Sequence, residues 1–443
     1  MTAAAAGRQG FLGERTAFAL SVFIVLTFSQ GWITALGGDE SAESGLIRAL
    51  YFPAYFAGLA LLFSQPWGAF KAALRVPLVW VLLAVVAISA TWSISPDVTF
   101  RRWIALAFTT LGGLVIGARY DWRKLLEVLA TSFSILAVLS LVASAAIPHI
   151  GRMAADTEFP NAWRGLWFDK NGLGGHMALG AVICTAAAIL NPPRRWVWSG
   201  FAGLCFLLVV ASTSKTSLVA LILGMGAVTF VALVKRGPAT AVASTLAAVI
   251  GILLVVCVIA FASDKVFAIL GKDATLTGRT KLWAGIARMA ELRPWTGYGY
   301  AAVWDDKSGW GPAAWIFKRA GFTAQHAHNG WYETWLGLGY IGLIAWGTLF
   351  AETWAKTLWA VYRTKGGWIA LPFMLVYSVT MLTESVAFIY HDFVWVIFTA
   401  LSVRLAMRAP AAAPAAARRL SGVGPRHFGL AVEAGRPGPK QLA

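Results

Sequence analysis

Charged side chains are scarce in this 443-residue chain. Asp, Glu, Lys and Arg together make up 13% of it, about half the share of an ordinary soluble domain. Hydrophobic residues make up 58%, and the few charges are spread along the chain, so a soluble multidomain enzyme of this length is excluded. Acidic residues are scarcer still, 20 against 37 Lys and Arg, for a net charge of +17. Clustered on a soluble surface such an excess attracts nucleic acid. Interleaved with apolar runs it reads instead as the basic face of a membrane protein, and no nucleic-acid partner is expected. Cysteine is almost absent. Cys184, Cys205 and Cys257 each lie inside an apolar run, without metal-ligand spacing, so no disulfide framework is expected. No small-residue cleavage site follows the first apolar run, Thr16 to Leu36, which is too long for a signal-peptide core and reads as a retained first span. No internal repeat is evident.

What the sequence has in abundance is long apolar runs. A helix needs about 20 such residues to cross roughly 30 Å of hydrocarbon. Runs of this kind start at Thr16, Leu46, Val76, Trp103, Leu125, Gly172, Trp196, Thr216, Ala241, Trp331, Trp368 and His391. They predict an all-α polytopic membrane protein with about 12 transmembrane helices, one large, partly helical periplasmic loop and both termini on the same side. Lys71, Arg75, Arg119, Arg123, Lys124, Arg194, Arg195, Lys235, Arg236, Lys356, Arg363 and Lys365 fall in the turns of one face, which the positive-inside rule makes cytoplasmic. Asp39, Glu40 and Glu43 fall on the other. The expected organisation is a cytoplasmic N-terminus over 1–15, nine helices across 16–262, the outer loop over 263–330, three more helices across 331–407 and a disordered cytoplasmic tail over 408–443. That tail is rich in Ala, Pro, Gly and Arg.

On this topology His149, His176, His326, His328 and His391 lie at or near the outer face and only His427 lies in the tail, so the chemistry belongs outside. The loop carries nine basic residues against five acidic ones, which suits a bound anion or, equally, a loop resting on anionic lipid. Within it, Thr277-Gly278-Arg279-Thr280-Lys281-Leu282-Trp283 opens a helical pattern with Thr277 as N-cap. Arg279 and Lys281 then sit in the first turn, where cations oppose the helix dipole but stand beside free backbone N–H groups, an arrangement suited to phosphate. The competing reading is that both side chains snorkel to headgroups.

Gln325-His326-Ala327-His328-Asn329 follows at the outer end of the tenth span, with Asn329 an N-cap and two imidazoles available for general-base work. A zinc reading, His-x-His with Asp305 and Asp306, is the weaker one, because no His–Glu pair at helical spacing and no Asp-x-Asp motif supports it. No metal or cofactor is expected. Gly337-Leu338-Gly339-Tyr340-Ile341-Gly342 matches a dinucleotide fingerprint but lies in an apolar span with no preceding strand, so its small residues read as close packing. Further cations, Arg101, Arg102, Arg164, Lys170 and Lys215, fall near the same surface. Glu384, seven residues before His391, is placed about 10 Å below the outer end of the eleventh span, where a carboxylate needs a partner such as Lys215 or an arginine.

Several of these segments together resemble the O-antigen ligase and polymerase superfamily of bacterial inner-membrane proteins. His328-Asn329 followed by Gly339-x-x-Gly342 is similar to one family motif, and Gly278-Arg279 with Trp283, then Pro294-Trp295-Thr296-Gly297-Tyr298-Gly299, to another. Gly165-Leu166-Trp167, Lys170-Asn171, Gly174, Ser212-Thr213-Ser214-Lys215 and Thr383-Glu384-Ser385 are most like the exopolysaccharide-polymerising branch. The resemblance covers roughly residues 90 to 405 and implies metal-independent transfer of a glycan from an undecaprenyl-pyrophosphate carrier to an acceptor hydroxyl at the periplasmic face. Lys215, where arginine is more usual, and the second imidazole, His326, depart from the pattern.

For an inverting displacement of this kind the candidate catalytic residues are His328, as base, and Arg279. Candidate substrate-binding residues are Arg164, Lys170, Lys215, Lys281, His326, Asn329 and Glu384, with Arg164 and Lys215 helping Arg279 hold the leaving diphosphate. The implied partners are the lipid-linked donor, a glycan or lipid A core acceptor, membrane lipids and a chain-length regulator. Two polysaccharide readings stay open, a polymerase and an O-antigen ligase joining polysaccharide to lipid A core. A transporter of lipid-linked glycan should instead place ionisable residues near the midplane of several spans, and a non-catalytic export scaffold would make the His and Arg clusters incidental.

Overall fold

The computed structural model describes residues 12–37, 44–155, 157, 159–269, 279–306 and 308–407. Asp39, Glu40, Glu43, Thr277, Gly278, Lys307 and the tail from Arg408 onward fall outside them. The architecture is all-α and polytopic, and among the described residues the only extended pairing is a single bridge between Arg152 and Trp163. Each of the twelve apolar runs coincides with a helix. In chain order these are Glu14–Phe28, Gly45–Ser64 with a short interruption, Pro77–Ile88, Pro96–Arg119, Trp122–Ala146, Lys170–Leu190, Arg195–Ala211, Lys215–Val234, Pro238–Ile269, Gly330–Arg363, Gly367–Thr383 and Phe393–Ala406.

By length and composition alone, six of the described helices suffice to cross a membrane, or seven if one bent pair counts as a single span. The gap between that number and twelve has identifiable causes. Pro66–Ala73 and Pro77–Thr91 are bent by 81°, since Pro77 removes a donor and disfavours helix in the residue before it. Gly367–Thr383 and Phe393–Ala406 run for 17 and 14 residues, short of the hydrocarbon thickness. Pro96–Arg119 is long enough but carries Asp97, Arg101 and Arg102 in its first two turns. The helix that opens at Pro238 continues to Ile269, so the expected loop over 263–330 begins within a helix.

Local signals set the helix starts. Pro66, Pro77 and Pro96 open helices where the missing N–H has no partner to lose. The side chains of Asp121, Asp169, Ser214, Asn329 and Asp392 accept first-turn N–H groups. In lipid the apolar face gains little by leaving its surroundings, so side-chain packing carries the association of helices. Trp346, fully buried, sits among Tyr377, Phe388, Trp395 and Phe398 with ring centroids 5.3–6.3 Å apart, contacts worth about 0.5–1.5 kcal/mol each beyond burial.

One interruption matters for everything that follows. The helix Gly330–Arg363 breaks at Gly339, whose φ of 61° and ψ of −158° are not helical. The loop stretch Pro294–Gly299 lies across the break: Tyr298 N–H donates to Leu336 O at 3.0 Å, Gly299 N–H to Gly337 O at 2.8 Å, and Tyr340 N–H to Pro294 O at 2.7 Å. A Cβ on Gly339 would meet the Trp295 carbonyl carbon at 2.3 Å, and one on Gly297, whose φ is +62°, would meet Gly337 at 2.6 Å. The glycines thus do permit close packing as the sequence suggested, but the partner is loop backbone rather than another helix.

Candidate functional site

Three chain segments converge to form the site. The helix Arg279–Leu292 buries Leu282, Ile286 and Ala290 in a second apolar cluster with Ile316 and Ala320 of the helix Pro312–Ala320 and with Tyr298, Val303 and Leu336. That packing holds Arg279, the first residue of its helix, at the edge of the membrane helices. Trp283 ties the next segment in, donating from Nε1 to Ala327 O at 2.9 Å and stacking on Tyr332 with ring centroids 5.6 Å apart. Asn329 then does two jobs. Its Oδ1 accepts from Trp331 and Tyr332 N–H, capping Gly330–Arg363, and its Nδ2 donates to Leu382 O at 3.1 Å. The last turn of Gly367–Thr383 is thereby drawn against the first turn of Gly330–Arg363.

Glu384 emerges at this junction. It lies just past the end of its helix, in the connection to residue 392, and not about two turns inside the span as the sequence suggested, because the helix ends at Thr383 rather than near His391. Its partner is Arg279, at 3.1 Å, and not Lys215. The other carboxylate oxygen takes a hydrogen bond from His328 Nδ1 at 3.0 Å. Arg279 also donates to Thr383 O at 2.6 Å. Its guanidinium therefore sits at the C-terminal, negative end of the helix Gly367–Thr383, although its own residue begins a helix, where a cation is disfavoured.

The electrostatics follow from this geometry. Burial alone pushes the Glu384 carboxyl up, but the hydrogen bond from His328 and the charge of Arg279 outweigh it, and the net effect is a carboxyl below its ordinary range. Glu384 is thus a carboxylate, and by accepting the Nδ1–H hydrogen bond it fixes the His328 tautomer and leaves the lone pair on Nε2. Burial lowers the His328 pKa against the opposing pull of Glu384, with His326 and Arg279 adding to the lowering. The imidazole is neutral at neutral pH, the state a general base requires. Arg279 Nη2 approaches His328 Nδ1 at 3.5 Å, but with the proton on Nδ1 both groups are donors, so this contact is a near approach and not a hydrogen bond. The His326 ring lies 4.0 Å from that of His328, and its Nδ1 accepts the His328 backbone N–H at 3.2 Å. His328 has a φ of +50°, a left-handed conformation that costs a non-glycine residue of order 1–3 kcal/mol and persists only where its surroundings hold it.

His326, His328 and Glu384 face a cavity of about 770 Å³, while Arg279 stands behind them and does not line it; the volume is within the range of a small-molecule or saccharide pocket. His326, His328, Glu384 and Glu333 line it together with His176 and His391, so four of the five histidines assigned to the outer face meet at one chamber. Arg48, Arg101 and Arg102 line it too. Arg102 is buried, donates to Ala301 O and lies 3.7 Å from Asp305.

The remaining sequence candidates are placed elsewhere. Arg164 turns its guanidinium to the carbonyls of Ile150, His149 and Phe168, at 2.8, 3.2 and 3.3 Å. Lys170 sits over the Phe159 ring at 3.0 Å. Lys215 and Lys281 are exposed in the first turns of their helices. None of the four lines the cavity. What the sequence reading did not single out is Arg48 and Glu333. Glu333, an acidic residue at the head of a long apolar span, was visible by the rule that intramembrane carboxylates need a reason.

His326, His328 and Glu384 offer ligand atoms within 4.8 Å of one another, the two-histidine, one-carboxylate set of many metal enzymes. Here one Glu384 oxygen is engaged by a guanidinium and the other by the imidazole. A divalent ion would have to displace Arg279 or stand against its charge, so the donor set fits a hydrogen-bonded triad better than a metal.

Residues 200–347 match the family model described as O-Antigen ligase. An exopolysaccharide production protein from Rhizobium meliloti is 30% identical over 271 residues, which span 58% of this chain and 59% of the relative. The match thus covers less than two thirds of the relative's own length. Arg279, His326 and His328 all fall inside the family segment, and Glu384 lies beyond its end. The chain therefore carries a segment that matches the O-antigen ligase family model, is similar to a protein of exopolysaccharide production, and bears out the resemblance that its motifs gave.

Proposed function

We propose that this protein is a glycosyltransferase of the inner membrane that transfers an undecaprenyl-pyrophosphate-linked oligosaccharide to an acceptor sugar hydroxyl at the periplasmic face, in exopolysaccharide polymerisation. The observation that carries the reading is the His328–Glu384 pair on the cavity wall, with Arg279 behind it. The acceptor oxygen attacks the anomeric carbon from the face opposite the diphosphate. The bond from that carbon to the phosphate oxygen breaks and its electron pair leaves with the diphosphate, which gives inversion. The acceptor proton passes to His328 Nε2, whose imidazolium is stabilised by the Glu384 carboxylate. Positive charge for the departing diphosphate comes from Arg279 as its contacts rearrange and from the arginines that line the cavity. Assignment to polymerisation rather than ligation rests on the likeness to an exopolysaccharide production protein; a lipid A core acceptor is the alternative.

The test is the surface and secreted glycan of a strain whose only copy carries His328→Ala at normal expression. Loss of high-mass secreted polymer with unaltered lipopolysaccharide is the expected result. O-antigen accumulating on its lipid carrier would show a ligase instead, and unchanged glycans of both kinds would sink the proposal.

A further inference from the structure

The backbone that presents His328 is strained, and something must hold it. Gly330–Arg363 supplies a carboxylate in its first turn, Glu333, whose acceptor capacity is spent on three other segments at once. Oε2 accepts the Ala327 N–H at 2.8 Å and the Ser385 hydroxyl at 3.1 Å, and Oε1 accepts Trp304 Nε1–H at 2.6 Å. Ala327 lies between the two histidines, and Ser385 follows Glu384. One oxygen atom therefore ties the chain that presents the imidazole to the chain that presents the carboxylate facing it.

The alternatives for fixing that distance are few. Asn329 also bridges to the end of Gly367–Thr383, but through Leu382, on the helix side of Glu384. Arg279 grips Thr383 O and Glu384 Oε1 and approaches His328 only at 3.5 Å. On the far side of both reacting residues Glu333 bridges the two segments directly. The left-handed φ at His328 is the expected result of a chain pinned on one side at the Ala327 N–H and on the other at the Asn329 cap.

We infer that Glu333 is a positioning residue: it sets the His328–Glu384 hydrogen bond by clamping Ala327 and Ser385 to one carboxylate oxygen, and it places no atom on the reacting groups. This rests on the proposed glycan transfer for its kinetic consequence but not for its geometry. Glutamine at this position keeps the size, yet its NH₂ must face either the Trp304 N–H or the Ala327 N–H and Ser385 hydroxyl, so a donor opposes a donor and one side of the clamp opens. Displacements of about 1 Å in a catalytic pair cost up to about a hundredfold in rate, and a partly opened clamp should cost about tenfold.

Two readouts decide the matter. The first is the ¹⁵N spectrum of histidine-labelled, full-length protein in detergent, with His328 identified by its disappearance in His328→Ala. The wild type should show one tautomer with the proton on Nδ1, and Glu333→Gln a mixture of tautomers, at unchanged melting temperature; an unaltered His328 signal in the variant overturns the inference whether or not glycan transfer is observed. The second is transfer of a lipid-linked oligosaccharide. Glu333→Gln should lower kcat about tenfold with donor KM unchanged, and the Glu333→Gln, Glu384→Gln double variant should be no slower than Glu384→Gln alone, since a clamp acts only through the pair it clamps. Multiplying losses, or a loss confined to KM, would overturn it. Should Glu333→Gln fail to fold, Ser385→Ala and Trp304→Phe each delete one bond and should show the same pattern more weakly; wild-type His328 spectra in both count against the clamp. A wild type that transfers no lipid-linked glycan defeats the proposed function alone.

Discussion

Arg164 and Arg279 looked alike in the sequence: each is an arginine near the outer surface, beside a motif of small and aromatic residues. Their settings in the fold are opposite. Arg164 spends its guanidinium on three backbone carbonyls of the 148–168 turn, and burial lowers its pKa with no carboxylate to offset it. Arg279 spends one nitrogen on a helix-end carbonyl and another on a carboxylate that is itself bonded to an imidazole. An arginine satisfied by carbonyls holds the chain, whereas one coupled to titratable groups can affect proton transfer. Position at a surface does not distinguish them; the partner does.

That contrast is open to attack by mutation. The largest effect should come from His328→Ala, which removes the base and should lower turnover by roughly 10²–10⁴, read as oligosaccharide transfer by purified protein. Arg279→Lys should follow, at roughly 10² in kcat, because an ammonium cannot reach Thr383 O and the Glu384 carboxylate with the same fork; near-normal turnover would place Arg279 in the same class as Arg164. Glu384→Gln tests the coupling through pH. His328 must be neutral to act, so activity falls as pH drops through its pKa, and since burial lowers that pKa the acid limb should lie below about 6.5 in the wild type. Glu384 pulls the other way, raising it, so Glu384→Gln should move the acid limb to still lower pH while reducing the maximum rate. Arg164→Ala should leave turnover within about twofold and cost stability instead, seen as a lower melting temperature; a large loss of rate at normal stability would erase the distinction.

Much of this architecture could be read from the chain. The apolar runs located twelve helices because a long apolar stretch must satisfy its own backbone as helix, although only six of the described helices, or seven with the bent pair, meet the full length and hydropathy of a span. Their exact extents were less legible, since Pro77 bends one pair and Gly339 interrupts a continuous apolar run. In the site, Asn329 was recognisable as an N-cap because capping is a local property, and Arg279 and His328 stood out by chemical type. The position of Glu384 was not, because it depends on where the helix Gly367–Thr383 stops, and that is decided by contacts with Asn329 and Arg279, far away in sequence. The failure of Lys170 and Lys281 to join the cavity has the same origin. Topology put these cations on one face, and only three-dimensional packing could say which of them turned inward.

The backbone pairing across the Gly339 break has a consequence for chain length. Residues 294–299 satisfy N–H and C=O groups that the interrupted helix leaves open at 336–340, and in an apolar setting those groups have no water to fall back on. Adding or deleting one residue between Pro294 and Gly299 would shift every donor off its acceptor, as a slipped register does in a sheet. The neighbouring turn around Ser308–Gly311 is bonded mainly to itself and can lengthen without that cost. Where homologous chains differ in loop size, the extra residues should therefore collect near 308–311, while the stretch from Pro294 to Gly299 keeps its length as rigidly as the helix it completes.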